Sequence, residues 1–149
     1  MDKKTLLSTL WIFLTVNFIF CDVFTLMHSE DLKNLLNGNV DGMQLTQEFL
    51  LSFAIMMEIP MLMILLSRLL KYKSNRILNL IFGGLLAIIQ IWSLTVGNIT
   101  LHYWFFSIVE IITCISIVWI AWKWTKVVAE NEITWQKHSP NKRANDIQM

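Results

Sequence analysis

The sequence predicts an all-α fold, an integral membrane bundle of four transmembrane helices. Three observations lead there. Of 149 residues, 55% are hydrophobic, more than a soluble domain of this length needs. Four apolar runs, at about 6–27, 49–66, 77–96 and 101–122, are each long enough to cross a hydrocarbon core of about 30 Å, which takes about 20 helical residues. The basic residues, finally, fall between these runs in a pattern that alternates from one connection to the next. The spans leave no room for a separate soluble domain, so residues 1–124 form the transmembrane domain and 125–149 a polar tail.

The first span follows Lys3 and Lys4. Its apolar region is too long for a signal peptide and lacks a small-x-small cleavage site, so it reads as a retained helix. Cys21 lacks the small preceding residues of a lipoprotein cysteine, because Phe18-Ile19-Phe20 stand there. The connection that follows holds Glu30, Asp31, Lys33 and Asp41. Within it, Asp31 to Leu36 are expected to form one or two helical turns on the membrane surface, broken by Asn37-Gly38-Asn39. The second span ends at a basic connection with Arg68, Lys71, Lys73 and Arg76, and Lys123 follows the fourth span. Eleven of the 12 Lys and Arg thus fall on one side. The positive-inside rule puts that side, with both termini, in the cytoplasm and the Lys33 loop outside. A tight turn at Gly97-Asn98 joins spans three and four, and short connections make neighbouring spans antiparallel.

Helix is the required state because backbone groups in lipid must be satisfied within the segment, and the runs are too continuous for barrel strands. Trp92, Tyr103 and Trp104 mark one interface, and Trp119, Trp122 and Trp124 the other. Gly83-Gly84 suits a close helix crossing. Pro60 frees the carbonyl of Met56 and is positioned to kink span two. Cys21 and Cys114 lie at different depths, about 20 Å of helix separating Cys114 from the start of its span, and read as two buried thiols rather than a disulfide. Gly38-Asn39 before Glu58-Ile59 and Gly97-Asn98 before Glu110-Ile111 form an internal echo. Two hairpins related by an axis along the membrane normal would explain it, and chance similarity is the alternative.

The candidate functional residues are the polar groups inside these spans. Glu58 lies about 15 Å above Arg68 and Glu110 about 20 Å above Lys123, at 1.5 Å per residue. A carboxylate near the bilayer centre costs about 2.5–3.5 kcal/mol on insertion scales, so it calls for a partner or a role. Asn17 and Gln90 fall at similar mid-depth, and Asp22, Glu48 and His102 near the outer boundary. Two polar layers, middle and outer, suggest a pocket opening outward that binds a small molecule, a lipid or a proton. The structural alternative is a pair of carboxylic acids hydrogen-bonded across helices to Asn17, Gln90, Ser or Thr. Glu48 in the first turn of its helix suits the helix dipole. Asp22 sits where that dipole disfavours an anion, and His102 or Lys33 are its available partners.

Other chemistry has little support. There is no HxxxH or CxxC spacing for a metal, no phosphate-binding glycine loop and no nucleophile elbow. Met56, Met57, Met61 and Met63 read as flexible packing. Asn98-Ile99-Thr100 matches a glycosylation sequon but lies too near the membrane to be used. No cofactor, metal site or catalytic residue is indicated. The expected partners are the lipid bilayer, a small hydrophobic or cationic ligand and, because four short helices enclose little space, a second copy in a homodimer; nucleic acid is not among them.

Gly97-Asn98-Ile99-Thr100-Leu101-His102-Tyr103-Trp104 before Glu110, Glu58-Ile59-Pro60, Leu66 to Tyr72 and Trp119 to Trp124 together resemble a family of small bacterial four-helix membrane proteins classed as a domain of unknown function. The resemblance covers about 6–124 and implies a four-span fold and the inner membrane of a bacterium, with no assigned activity. A vaguer likeness is to DoxX-like proteins, some of them linked to quinone chemistry. It implies a redox accessory in which His102 and a glutamate exchange protons. The small multidrug transporters are less similar, since their essential glutamate lies in span one, where this chain has Asn17. A non-catalytic assembly subunit, held together by its polar groups, is the third reading.

Overall fold

The computed structural model describes residues 2–40, 43–95, 100–125 and 134. Its elements run α1 (Lys3–Met27), α2 (Ser29–Leu36), β1 (Asn39–Val40), β2 (Met43–Gln44), α3 (Gln47–Leu69), α4 (Tyr72–Ser93) and α5 (Leu101–Lys123). Helices α1, α3, α4 and α5 are each long and apolar enough to cross a membrane, so this is a multi-pass membrane protein. The expectations for the Gly97-Asn98 turn, the Asn98 sequon and, Thr134 apart, the tail after Thr125 lie outside the described residues.

Local chemistry sets the helix ends. Asp2 caps α1, its Oδ1 accepting from the Lys4 amide at 3.3 Å. Thr46 caps α3 through Oγ1, which accepts from the Phe49 amide at 3.1 Å. Each satisfies one of the amides that the first helical turn leaves unpaired. The surface helix α2 starts two residues before the expected position, and His28 Nδ1 lies 3.0 Å from Asp31 Oδ2 across its first turn. Gly38 follows it with φ +72°, a conformation that a residue without Cβ adopts readily. It leads into a short antiparallel hairpin pairing Asn39 with Gln44 and Val40 with Met43. That hairpin was not expected from the sequence. Helix α3 runs through Pro60 without a break.

The packing order around the bundle is α3, α1, α5, α4. Helix α1 lies against both α3 and α5, and α5 against α4, whereas α3 meets α4 only lightly. Leu7, Trp11 and Leu14 of α1, Met63 of α3, Leu86 of α4, and Cys114 and Ile117 of α5 form the buried core. Gly83 allows the closest approach: a Cβ there would meet Val118 Cγ2 at 3.1 Å and Ile117 Cγ2 at 3.2 Å. Gly84 has open space, so only the first glycine of the pair serves the crossing. Ile19, Ile55, Leu65, Ile88, Phe105 and Ile112 are exposed, which is what a surface solvated by lipid tails requires.

The internal echo is not carried into the packing. The pairing of α1 with α5 has no equal in α3 with α4. Its two corresponding acids, Glu58 and Glu110, also end in opposite environments, one exposed and one buried.

Candidate functional site

Helix α5 turns one face to the bundle along Tyr103, Ser107, Glu110, Cys114, Ile117 and Ala121, the alternation of three and four residues that keeps side chains on one side. Ser107, Glu110, Cys114, Ile117 and Ala121 are buried, and Tyr103 is half-buried. The half of this face nearer the α2 loop is polar, and the half nearer the basic residues is apolar.

The polar half meets α4. Gln90 Nε2 donates to Ser107 Oγ at 2.9 Å, and Tyr103 Oη donates to Ser93 Oγ at 2.8 Å. Ser93 Oγ in turn donates to the Gln90 carbonyl at 2.8 Å. These bonds tie α4 to α5, and none of them reaches Glu110. Glu110 is 1% exposed, and both of its carboxyl oxygens are buried without a hydrogen-bond partner. Cys21 and Asp22 of α1 lie within electrostatic reach of it. Phe106, one turn before Glu110 on α5, packs against Phe24 with centroids 5.6 Å apart. Phe24 and His28 bring their rings to 6.4 and 6.1 Å of His102. An aromatic cluster thus stands over the carboxyl at the loop end of the bundle.

The candidate residues divide. Glu110 and Gln90 share the polar half of the α4–α5 interface, with Asp22 nearby but exposed. His102 is about 12 Å along the axis from Glu110, at 1.5 Å per residue, and its Nε2 lies 3.3 Å from Thr100 Oγ1. Glu48 is exposed in the first turn of α3. Asn17 donates to the carbonyl of Phe13 on its own helix at 2.9 Å. Glu58 is exposed too. Pro60, Met63 and Ser67 define the buried face of α3, and Glu58 stands roughly 160° round the helix from Pro60, at 100° per residue, so it points away from the bundle. Two expectations are therefore corrected. Glu58 and Glu110 do not share a chamber, and Asn17 and Gln90 donate to the Phe13 carbonyl and to Ser107 Oγ rather than to a glutamate. The expected pairing of Asp22 with His102 or Lys33 is likewise not formed among the described residues.

A second polar cluster, at the basic end, escaped the sequence reading. Trp11 Nε1 donates to Asn79 Oδ1 at 2.7 Å. Asn79 Nδ2 donates to Asn75 Oδ1 at 2.7 Å, and Asn75 Nδ2 to the Ser67 carbonyl at 2.6 Å. Ser8 Oγ donates to the Ile64 carbonyl at 2.9 Å and accepts from Arg68 Nε at 3.0 Å. Trp124, expected in the interfacial belt, is instead buried: Tyr72 packs edge-on against it and donates to its carbonyl at 2.7 Å. The available signal was Asn75 and Asn79, one turn apart on one helix face. Starting the span at residue 77 hid it. These groups are largely paired with one another and hold α1, α3 and α4 in register, which leaves Glu110 as the buried acid without a partner.

A family model described as a family of unknown function (DUF6326) matches residues 1–131. The chain belongs to DUF6326. The match takes in all four spans of this DUF6326 protein, including Glu58 and Glu110. No curated protein and no solved structure matches it, so the likeness to DoxX-like proteins gains no support.

Proposed function

We propose that this protein binds a small hydrophobic cation inside the membrane, with Glu110 as the acceptor. The observation that carries the reading is the pair of buried, unpartnered carboxyl oxygens of Glu110. Buried polar groups in folded proteins are nearly always satisfied, and an ionisable group within a span marks a functional site by default. A cation or a proton supplies what the protein leaves out. The surroundings favour a cation with apolar substituents. Aromatic faces attract positive charge, and the rings of Phe24 and Phe106 meet one turn of α5 away from the carboxyl. Each described Lys and Arg lies at a span end or in a connection, so among the described residues no cation inside the bundle competes.

The distribution of basic residues supports placing both termini and the α3–α4 connection in the cytoplasm, and the sequence resemblance supports a bacterial inner membrane. The polar half of the α4–α5 interface then lies toward the outer face. A quinone-linked role fits less well, because His102, its proton partner, stands about 12 Å along the helix axis from Glu110.

Equilibrium dialysis of the purified protein against tetraphenylphosphonium tests the proposal. Saturable binding that protons compete away, and that Glu110→Gln abolishes, is expected. No saturable binding, or equal binding by the variant, would overturn it.

A further inference from the structure

Helix α3 carries a second feature that the Glu110 site does not use. Glu48, Leu51, Ile55, Glu58, Leu62, Leu65 and Leu69 alternate in steps of three and four, and all seven are exposed. They form one stripe on the side of the helix turned away from Pro60, Met63 and Ser67. A strict seven-residue repeat of this kind is the seam along which two helices supercoil. Glu58 lies at its centre, in the middle of the span.

We infer that this stripe is the contact between two copies of the chain, with Glu58 of each copy hydrogen-bonded to Glu58 of the other. The inference rests on what can cover a mid-membrane carboxyl. Ionisable groups within spans almost always face protein or water rather than lipid. Among the described residues no basic side chain lies at that depth, since each described Lys and Arg is at a span end or in a connection. A carboxylic acid, however, complements itself. Its O–H donates while its carbonyl accepts, so two of them bond reciprocally, and a pair that shares one proton also bonds. Two copies inserted with the same orientation are related by a two-fold axis along the membrane normal. Such a contact is isologous, so each residue near the axis meets its own counterpart. The axis therefore sets Glu58 opposite Glu58, with Ile55 and Leu62 opposite their counterparts one turn to either side. Leu51, Leu65 and Leu69 extend the apolar seam. Glu48 faces its counterpart at the membrane boundary, where water screens the repulsion. Helix α3 is also free to make this contact, being packed on α1 but only lightly on α4. Polar side chains that bond across helices are a recognised glue for association in lipid.

Cysteine cross-linking in native membrane vesicles tests the contact. Cys21 and Cys114 are buried and can stay in place. Oxidation of Ile55→Cys and Leu62→Cys proteins should give a disulfide-linked dimer of twice the chain mass. Ile112→Cys, on the exposed face of α5 at comparable depth, should not. In the Leu62→Cys background, Glu58→Ala should lower cross-linking at least about threefold, the loss of one interhelical hydrogen bond in lipid. Glu58→Gln should retain it, because a carboxamide also complements itself. Glu110→Gln should leave it unchanged, which separates this contact from the ligand site. Cross-linking at residues 55 and 62 no faster than at 112, or an adduct with a different protein, would overturn the dimer. Undiminished cross-linking in the Glu58→Ala variant would overturn the role of the carboxyl.

Discussion

Replacing Glu110 by leucine should make the ligand-free protein more stable. Most buried polar residues stabilise through their hydrogen bonds, and deleting them destabilises. Glu110 is different because its two oxygens are buried with no donor in reach. A buried polar group left unsatisfied costs about 1–3 kcal/mol. Leucine removes both oxygens and puts apolar surface against Cys114, with little change of volume. The expected gain is therefore about 1–3 kcal/mol. Glu110→Gln keeps two polar atoms in the same place and should change little. Ser107→Ala is the contrasting case: Ser107 Oγ accepts from Gln90 at 2.9 Å, and losing such a bond in a membrane protein costs about 0.6–1.7 kcal/mol. Reversible unfolding in mixed micelles of dodecyl maltoside and sodium dodecyl sulfate, followed by tryptophan fluorescence, measures all three. A Glu110→Leu protein less stable than the parent would refute the reasoning, because it would mean that the carboxyl holds the bundle together. The trade of stability for function at such a site is a general one.

Other perturbations follow from the same geometry. Gly83→Ala should destabilise by about 1–3 kcal/mol through overpacking, since its Cβ would press on Val118 and Ile117, whereas Gly84→Ala should be neutral or raise stability by up to about 1 kcal/mol; the same unfolding assay reads both. Trp11→Phe and Asn79→Ala should be non-additive in a double-mutant cycle, with a coupling of about 0.6–1.7 kcal/mol for their hydrogen bond; strict additivity would contradict the basic-end network. Tyr72→Phe should cost about 0.5–1.5 kcal/mol by removing its bond to the Trp124 carbonyl, and should also shift tryptophan emission, because Trp124 is buried against Tyr72.

The bundle was legible in the sequence because lipid imposes a coarse code. Length and apolarity alone mark a span, and the four spans expected are the four long helices found. Position along the helix was equally legible, since Glu58 and Glu110 stand near the middles of α3 and α5. Direction was not. In water a hydrophobic stripe reveals which face of a helix is buried. In lipid both faces are apolar, so hydropathy does not tell which face of α3 or α5 is buried. That Glu110 faces the core while Glu58 faces outward is decided by neighbours such as Pro60, Met63 and Ser67, which pack α3 onto the bundle. Asn75 and Asn79 were missed for a related reason. Close to a basic connection they read as interfacial, although α4 begins at Tyr72 and carries them inside. Trp124 misled in the same way, because tryptophan near a span end ordinarily belongs to the interface.

Native mass spectrometry of the protein, gently extracted from its membrane beside Glu110→Gln and Glu58→Gln, tests the central claim most directly. The account predicts a small bound mass on the parent and on Glu58→Gln, absent from Glu110→Gln. A parent that carries no ligand, or a bound mass that survives in Glu110→Gln, would contradict it.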